Sequence, residues 1–375
     1  MHLHIISFDT PYPANYGGAI DVFYRLQALY RAGVRITLHC SYKGTLQHYD
    51  ELESLCEKVY YYERDMSWLN IFTRLPYTVK GRINPILLEN LLQDDDPILF
   101  EGLVSCYYLS HPMLAKRKKY FRGCNIEHDY YNGLARATNK LWKYVYYKIE
   151  ARRLRRFEPI IRYADAALAI SHQDEEHYRS TYPDLKVYYL PASHQNEKIT
   201  ASLGKGNYIL YHGNLGVAEN DKAAMWLCKH IIPQMPNVPF VIAGRQPTNE
   251  LISTAQNLDN LTLIASPTQQ ELEALIHDAH IHLLVTFQAT GLKLKLLNVL
   301  YQGRFVVTNP ELVCGTELSS LCMVGKTPQE LIQICTELMQ QEFTSKELEK
   351  RSILLNHLFS NKELGQSLVD IIFGV

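Results

Sequence analysis

The stretch Tyr208-Ile-Leu-Tyr-His-Gly213-Asn214 carries the pattern that decides the fold. A short apolar run ends at a glycine, and the residues that follow predict an amphipathic helix over Asp221–Ile232. Runs that are apolar throughout, rather than at alternate positions, are typical of parallel strands covered on both faces. Because the same order of strand, turn and helix recurs along the chain, the sequence predicts an α/β protein with doubly wound sheets.

Further apolar runs predict strands in both halves of the chain. They lie at His2–Phe8, Arg35–Cys40, Lys58–Tyr62, Ile98–Phe100, Cys124–Ile126, Ala166–Ile170 and Val187–Leu190, and then at Tyr208–His212, Phe240–Ala243, Leu261–Ile264, Ile281–Val285 and Phe305–Val307. Amphipathic segments such as Ile20–Ala32 and Gln270–Asp278 predict the helices between them. The last segment, Lys346–Val375, predicts two helices interrupted near Ser360-Asn361.

A polar segment, Pro191–Asn207, separates the two sets of strands and has the composition of a linker. We therefore expect a Rossmann-like N-terminal domain over residues 1–190, the linker over 191–207 and a Rossmann-like C-terminal domain over 208–358. A final helix over 359–375 is expected to pack back on the N-terminal domain. Two such domains joined by a linker predict a cleft between them, which is the usual position of a ligand site.

Composition excludes several classes of protein. The 375 residues carry a formal net charge of −1, which argues against a strongly basic nucleic-acid binder. No apolar run approaches the roughly 20 residues of a membrane helix, and the start of the chain shows no signal-peptide pattern. The eight cysteines are scattered without a C-x-x-C pair, which indicates neither a zinc site nor a disulfide framework. We expect a soluble, cytoplasmic protein.

The first predicted strand leads into a loop, Asp9–Gly18, with paired glycines at Gly17 and Gly18. Paired glycines allow close approach of the backbone to another group, and a helix predicted from near Ile20 would offer its N-terminus to an anion. The alternative is a long turn that needs a positive φ. The G-x-G-x-x-G fingerprint of dinucleotide binding is absent from the sequence, which argues against a nicotinamide enzyme.

A second glycine turn lies in the segment Phe287–Val307, where a helix rich in Leu and Val is expected to start near Leu292 and to be buried. Lys295 and Asn298 share a face of this helix, and Lys293 lies roughly opposite. A lysine in the first turn of a buried helix needs an anionic partner, because an unpaired buried charge is costly. A diphosphate would supply that partner, and an acidic residue of a neighbouring element is the alternative.

Four segments together resemble the GT-B glycosyltransferases of glycosyltransferase family 4, the glycosyl transferases group 1 superfamily. They are the Gly17-Gly18 loop; Asn125-Ile-Glu-His128-Asp129; Tyr211-His-Gly213-Asn214 with Asn220, Trp226, Ile232-Pro233 and Ile242-Ala-Gly244-Arg245; and Thr290-Gly291 with Lys295, Asn298 and Gly303-Arg-Phe-Val-Val307. The order of these segments along nearly the whole chain is that of the family.

The resemblance implies a retaining, metal-independent hexosyltransferase of polysaccharide synthesis. Its C-terminal domain would bind a nucleotide diphosphate sugar, and its N-terminal domain would bind a glycan or lipid-linked acceptor; it would require no cofactor. His128 would contact the transferred hexose, and Lys295 would neutralise the departing diphosphate. The other implied donor-binding residues are Gly17, Gly18, Gly213, Asn214, Arg245, Thr290, Gly291, Leu292 and Asn298, and the implied acceptor-binding residues are Tyr16, Asp129 and Tyr130.

The sequence departs from the family pattern at two places. Thr290 and Asn298 stand where the family often has two glutamates, so no carboxylate is available there. No basic residue follows the first strand of the C-terminal domain, and Arg245 would either replace it or be an exposed loop arginine. Two other functions therefore stay open. One is a nucleotide-sugar 2-epimerase on the same fold, and the other is a non-catalytic binding subunit.

Two further motifs allow more than one interpretation. Asp94-Asp-Asp96 matches the metal-binding D-x-D of another transferase fold, but its place at a helix end before a strand favours a solvated turn. The basic-aromatic stretch from Leu141 to Arg156 predicts either a helix on the anionic inner face of a membrane or a solvated helix. The 26 tyrosines suit sugar contacts as well as core packing with a polar tip.

Overall fold

The computed structural model describes residues 1–138, 140–287 and 294–374. The strands are β1 His2–Ser7, β2 Arg35–Tyr42, β3 Lys58–Glu63, β4 Ile98–Glu101, β5 Lys119–Arg122, β6 Ala166–Ala169, β7 Lys186–Tyr189, β8 Ile209–His212, β9 Phe240–Gly244, β10 Leu261–Ala265, β11 Ile281–Leu284, β12 Phe305–Thr308 and β13 Met323–Val324. The α-helices are α1 Gly17–Arg31, α2 Asp50–Glu53, α3 Tyr77–Lys80, α4 Pro85–Leu91, α5 Glu127–Ala137, α6 Leu141–Phe157, α7 His172–Thr181, α8 Ala218–His230, α9 Asn249–Ala255, α10 Gln269–Asp278, α11 Leu294–Gln302, α12 Pro310–Val313, α13 Pro328–Leu338, α14 Ser345–Leu358 and α15 Asn361–Phe373.

The described residues form two compact units, and each contains one parallel sheet. The N-terminal unit consists of residues 1–195 with 357–374, and its seven strands lie in the order β3-β2-β1-β4-β5-β6-β7. The C-terminal unit consists of residues 196–287 with 294–356, and its six strands lie in the order β10-β9-β8-β11-β12-β13. The predicted doubly wound α/β architecture is thus confirmed.

Apolar side chains cover both faces of the N-terminal sheet. Leu3 and Ile5 of β1 face one core together with the buried face of α1, and Ile6 faces the other. Helix α15 packs on α1 so closely that a Cβ on Gly365 would lie 2.9 Å from Ala28 Cβ. The strand runs are apolar throughout because both faces are covered.

One predicted strand is wrong. Cys124–Ile126 is a loop, and the strand in that part of the sheet is β5, Lys119–Arg122. Its ends are charged, which hides it from a hydrophobicity pattern, yet all four of its residues are buried. Lys119 Nζ donates a hydrogen bond to the Leu109 carbonyl, and Arg122 donates to the Pro191 carbonyl. The two-residue strand β13 was not predicted.

Candidate functional site

In a doubly wound sheet, ligands bind outside the carboxyl ends of the strands, at the point where the strand order reverses. In the C-terminal unit that point lies between β8 and β11, which pair with each other in parallel. The loop after β8 begins at Gly213, and Lys295 is in the first turn of α11, the helix that follows β11 in the chain. Two predicted sites, far apart in sequence, are therefore brought to one edge of the sheet.

The loop after β8 is held close to the next strand, β9. The Gly213 N–H donates to the Ala243 carbonyl at 3.1 Å, and the Gly216 N–H donates to the Arg245 carbonyl at 3.1 Å. A Cβ on Gly244 would overlap the Gly213 carbonyl oxygen. The Asn220 side-chain amide, in α8, donates to the Asn214 carbonyl at 3.0 Å. The backbone of this loop is thus fixed from both sides.

Lys295 reaches the same loop. Its ammonium nitrogen Nζ donates to Asn220 Oδ1 at 3.1 Å and lies 5.1 Å from the centroid of the Tyr211 ring. The Tyr211 hydroxyl in turn donates to the Asn220 carbonyl at 3.1 Å. Burial, together with the charge of Lys295, lowers the pKa of His212 to about 3, so this imidazole is neutral at physiological pH. The result is a cation at the switch point beside a rigid loop.

Two other residues that were predicted to bind the donor, Asn298 and Arg245, lie in different surroundings. Asn298 Oδ1 accepts hydrogen bonds from Asn196 Nδ2 at 3.1 Å and from Gln302 Nε2 at 3.3 Å. Arg245 is exposed in the loop after β9. Thr290, Gly291 and Leu292, and Lys293 with them, lie outside the described residues.

A carboxylate that was not predicted stands at the same edge of the C-terminal sheet. Glu219, in the first turn of α8, accepts a hydrogen bond from the buried Thr286 hydroxyl, directly after β11. Asn309 fixes the backbone of Thr286 by accepting from its N–H and donating to its carbonyl. Nothing in the local sequence of α8 distinguishes Glu219 from a solvated helix residue, and only the parallel sheet brings it here.

In the N-terminal unit the strand order reverses between β1 and β4, and the Gly17-Gly18 loop follows β1. Helix α1 begins at Gly17, three residues before the predicted start. Neither glycine has a positive φ, so the interpretation as a turn of that kind is wrong. Gly18 is required for another reason, because a Cβ there would lie 2.7 Å from Phe8 Cζ. The exposed Tyr16 hydroxyl lies 3.5 Å from Asp9 Oδ2.

His128, in the first turn of α5, is oriented by a buried carboxylate. Its Nδ1 lies 3.1 Å from Glu158 Oε2, and Glu158 also accepts hydrogen bonds from His177 at 2.8 Å and from the Tyr182 hydroxyl at 2.9 Å. Burial acts to raise the pKa of Glu158, but the hydrogen bonds from His128 and His177 lower it to about 2. Asp129 is exposed, with Oδ1 3.7 Å from His128 Nε2.

Tyr130, the remaining predicted acceptor residue, is half-buried, and its ring meets that of Tyr131 at right angles, 5.8 Å between centroids. The predicted residues of the N-terminal unit therefore fall into two groups. Tyr16 ends the loop after β1 and Gly17 and Gly18 begin α1, whereas His128, Asp129 and Tyr130 share the start of α5.

Two titratable residues near this edge were missed. Arg82 Nε donates to the Phe8 carbonyl at 2.6 Å, and burial lowers its pKa to about 10, with the charge of Asp9 acting against the change. Burial raises the pKa of Glu127 to about 7, against the opposing charge of Arg82. Glu127 immediately precedes His128 and belongs to the segment that was singled out in the sequence, but only the structure shows that it is half-buried.

A buried ion network underlies the N-terminal edge. Arg25 of α1 binds Glu101 at the end of β4 through two hydrogen bonds, at 2.9 and 3.1 Å, and it also pairs with Asp21 at 3.0 Å. Asp21 in turn accepts from the Ser193 backbone N–H at 2.7 Å and pairs with Arg122 of β5. The start of the predicted linker is therefore bonded into the N-terminal unit rather than solvated.

The chain is similar to known glycosyl transferases. Residues 206–341 match the family model described as glycosyl transferases group 1, a range that includes Gly213, Asn214 and Lys295. An uncharacterized 44.6 kDa protein in the cps region of Klebsiella pneumoniae is 28% identical over 319 residues, which is 81% of each chain. Residues 206–341 are thus similar to the glycosyl transferases group 1 family.

Solved structures are similar over the whole chain. Sucrose-phosphate synthase from Thermosynechococcus elongatus has a TM-score of 0.70 at 12% identity, with 100% of this chain and 98% of that chain covered. Anabaena Alr3699/HepE, in complex with UDP and glucose, has a TM-score of 0.66 at 10% identity, with both chains covered completely. At sequence identities this low, the similarity is evidence for a shared fold and not for a shared function. Together with the family match, they confirm the predicted GT-B fold of two Rossmann-like units.

Within residues 206–341, the edge of the sheet at the switch point carries the Lys295 ammonium group, the fixed loop after β8 and the Glu219 carboxylate. An ammonium group binds phosphate oxygens well. In the part of the chain that the structure describes, no helix has both the length and the apolarity needed to span a bilayer.

Proposed function

We propose that this GT-B protein is a retaining glycosyltransferase that moves a hexose from a nucleotide diphosphate sugar to a glycan or lipid-linked acceptor in polysaccharide synthesis. The observation that carries the proposal is the position of Lys295 beside the Gly213 loop, at the switch point of a group 1 domain. The complex of Alr3699/HepE with UDP and glucose supports the class of donor. The relative in a cps region supports a role in polysaccharide synthesis.

In this proposal Lys295 stabilises the negative charge that develops on the diphosphate as the bond to the sugar breaks. A cation placed in advance at that position lowers the barrier, because it needs no reorganisation during the reaction. The Gly213 and Asn214 backbone would contact the nucleotide, with Asn298 at its ribose and Arg245 near the phosphates. Since Lys295 supplies the charge, the proposed transfer step uses no metal.

In the N-terminal unit we propose that His128 binds a hydroxyl of the transferred hexose. The contact of Nδ1 with Glu158 orients the imidazole, and the other ring nitrogen, Nε2, would bond the hydroxyl. Glu158 is thus a positioning residue that fixes ring orientation and tautomer. Tyr16, Asp129 and Tyr130 are proposed to contact the acceptor, and Gly17 and Gly18 the donor phosphate.

Calorimetric titration with a panel of nucleotide sugars tests the donor part of the proposal. We expect at least one to bind, and Lys295→Ala to weaken it by roughly 10- to 100-fold, the loss of a charged hydrogen bond. Lys229→Ala is the matched control, because Lys229 is an exposed lysine at the other end of α8. If no nucleotide sugar binds, or if both variants behave alike, the proposal is wrong.

Product analysis separates this function from its two alternatives. NMR of the reaction with acceptor should show a new glycosidic bond with the anomeric configuration of the donor. Release of free nucleotide with an epimerised sugar, in the absence of acceptor, would indicate a 2-epimerase instead. Binding of donor without turnover, across a panel of acceptors, would indicate a binding subunit.

We further propose that the N-terminal unit contacts an anionic membrane, which is where a lipid-linked acceptor resides. The 3₁₀ helix Trp68–Phe72 exposes Trp68 by 70% and Phe72 by 74%, and the start of α6 exposes Trp142 by 67%. The Arg153 side chain of α6 donates to the Ile71 carbonyl at 2.6 Å, so the two elements touch. Helix α6 carries six basic residues, and its one acidic residue, Glu150, is buried.

Exposed tryptophans beside basic residues favour the interface of an anionic bilayer. Sedimentation with phosphatidylglycerol vesicles should carry the protein down, and added salt should reduce binding. Trp68→Ser and Trp142→Ser should each weaken it several-fold, whereas Met113→Ser, at an exposed apolar residue outside these two elements, should not. Equal binding to phosphatidylcholine vesicles, or none to either, would count against the membrane contact.

A further inference from the structure

Four metal-ligating side chains meet at the edge of the N-terminal sheet opposite to the site described above, where β1 starts. His2 and His4 point to one face of β1, and Asp94 and Asp96 lie just before β4, the strand that pairs with β1. One nitrogen or oxygen of each of the four lies within 4.8 Å of those of the other three. In the turn expected at Asp94–Asp96, Asp95 is exposed, whereas Asp94 and Asp96 are partly exposed and each contacts a histidine.

The contacts among the four already pair nitrogen with oxygen. His2 Nδ1 lies 2.6 Å from Asp96 Oδ2, and His4 Nε2 lies 2.9 Å from Asp94 Oδ2. The Asp96 N–H donates to Asp94 Oδ1 at 3.0 Å, which fixes the turn that carries both carboxylates. A cation between these atoms would replace two hydrogen bonds by four metal–ligand bonds.

The second nitrogen of each histidine is also hydrogen-bonded, as in known metal sites, where such bonds fix the ring and its tautomer. His2 Nε2 lies 2.9 Å from Thr37 Oγ1, and His4 Nδ1 lies 2.9 Å from His39 Nε2. His39 is bonded in turn to the Tyr62 hydroxyl at 2.8 Å. The ligand nitrogens are therefore held toward the carboxylates by contacts from β2 and β3.

Charge and access fit a divalent cation. Asp94 and Asp96 bring two negative charges, and Arg117, which donates to Asp94 Oδ1 at 2.7 Å, offsets one of them. The His4 side chain is buried, whereas the Asp94 and Asp96 side chains are 33% and 40% exposed. The pocket is closed on the histidine side and open to solvent on the carboxylate side, from which an ion can enter.

We propose that His2, His4, Asp94 and Asp96 bind one Zn²⁺ ion with two nitrogen and two oxygen ligands. Imidazole and carboxylate are ordinary zinc ligands, and four of them give the tetrahedral geometry of a structural site. On binding, the proton between each histidine and its carboxylate moves to the other ring nitrogen, facing Thr37 or His39, or leaves to solvent. Because the cluster lies away from the carboxyl ends of the strands, the ion ties the first residues of β1 to the turn before β4 and takes no part in transfer.

Metal binding by the tag-free, full-length chain tests this inference. After treatment with a chelator, calorimetry with ZnCl₂ should show one equivalent bound, and Co²⁺ in its place should give the visible absorption of a tetrahedral complex. His2→Gln and Asp96→Asn should each weaken zinc binding by at least about tenfold. That is the lower end of the loss in affinity caused by mutating a residue that merely supports a metal ligand. Asp95→Asn is the matched control, since Asp95 belongs to the same acidic run and is exposed.

The thermal unfolding temperature gives a second measurement that does not depend on activity. Zinc should raise it for the wild type and for Asp95→Asn but not for Asp96→Asn, because an ion that binds only the folded state stabilises it. Absence of stoichiometric binding would overturn the proposal. So would equal effects of the Asp95 and Asp96 substitutions, since the ion would then be bound by acidic surface charge rather than by the four ligands.

Discussion

Substitution of Gly244 by alanine should damage both the stability and the nucleotide site of the C-terminal unit. The added Cβ would overlap the Gly213 carbonyl oxygen and lie 2.8 Å from Leu215 Cγ, well inside the contact distance of roughly 3.5 Å between carbon atoms. The loop cannot simply move away. The Gly213 and Gly216 N–H groups bond the carbonyls of Ala243 and Arg245, on either side of Gly244.

Overpacking and strained hydrogen bonds of this kind cost about 2–4 kcal/mol, which corresponds to a fall in unfolding temperature of roughly 5–10 °C for a unit of this size. Nucleotide affinity should fall as well, because the displaced loop carries Gly213 and Asn214. Gly216→Ala is the control, since its Cβ would meet side-chain atoms of Gln246 and Asn214 rather than backbone, the nearest being the movable Gln246 Oε1 at 2.8 Å. Thermal unfolding and calorimetry measure both effects. If Gly244→Ala behaved like Gly216→Ala, the close packing of this loop would be refuted.

Three further substitutions test the buried groups. Glu158, with its pKa lowered to about 2, stabilises the fold above its ordinary pKa near 4.5, and this stability is lost as pH falls toward 2. Glu158→Gln should therefore lower the free energy of unfolding by about 3 kcal/mol at pH 7. The unfolding temperature of this variant should also change less with pH in the acid range. Glu127, with its pKa raised from 4.5 to about 7, contributes fully to stability below pH 4.5 and loses that contribution as pH rises from there through 7. Glu127→Gln should therefore match the wild type near pH 4 and be more stable by about 1–3 kcal/mol above pH 8 in the same assay. Gly303→Ala should prevent soluble expression or strongly lower the unfolding temperature, because its Cβ would overlap the buried His282 ring; an unfolding temperature equal to that of the wild type would contradict this packing.

The architecture could be predicted from the sequence because parallel strands covered on both faces leave long apolar runs. The runs at β1, β8 and β11 were predicted from this pattern, and each differs from the prediction by one residue at one end. The pattern failed at β5, where Lys119 and Arg122 are buried and donate hydrogen bonds to the carbonyl groups of Leu109 and Pro191, outside the strand. No local pattern reports a partner of that kind.

The candidate site could be predicted only in part, for a related reason. Gly213 and Lys295 were found because glycine turns and a lysine in an apolar helix are visible locally. Their proximity comes from the pairing of β8 with β11, and the support of His128 by Glu158 spans 30 residues and a helix. The zinc ligands show the same limit, because the spacing of His2 and His4 is informative only once Asp94 and Asp96 are known to lie beside them.

The central claim is that Lys295 binds the diphosphate of the donor, and a double comparison of affinities tests it most directly. Wild type and Lys295→Ala are each titrated with the nucleoside diphosphate that binds best and with the corresponding nucleoside. The substitution should weaken the diphosphate by roughly 10- to 100-fold, about 1.5–3 kcal/mol for a charged hydrogen bond, and leave the affinity for the nucleoside unchanged. Equal losses for both ligands, or no loss for either, would contradict the claim.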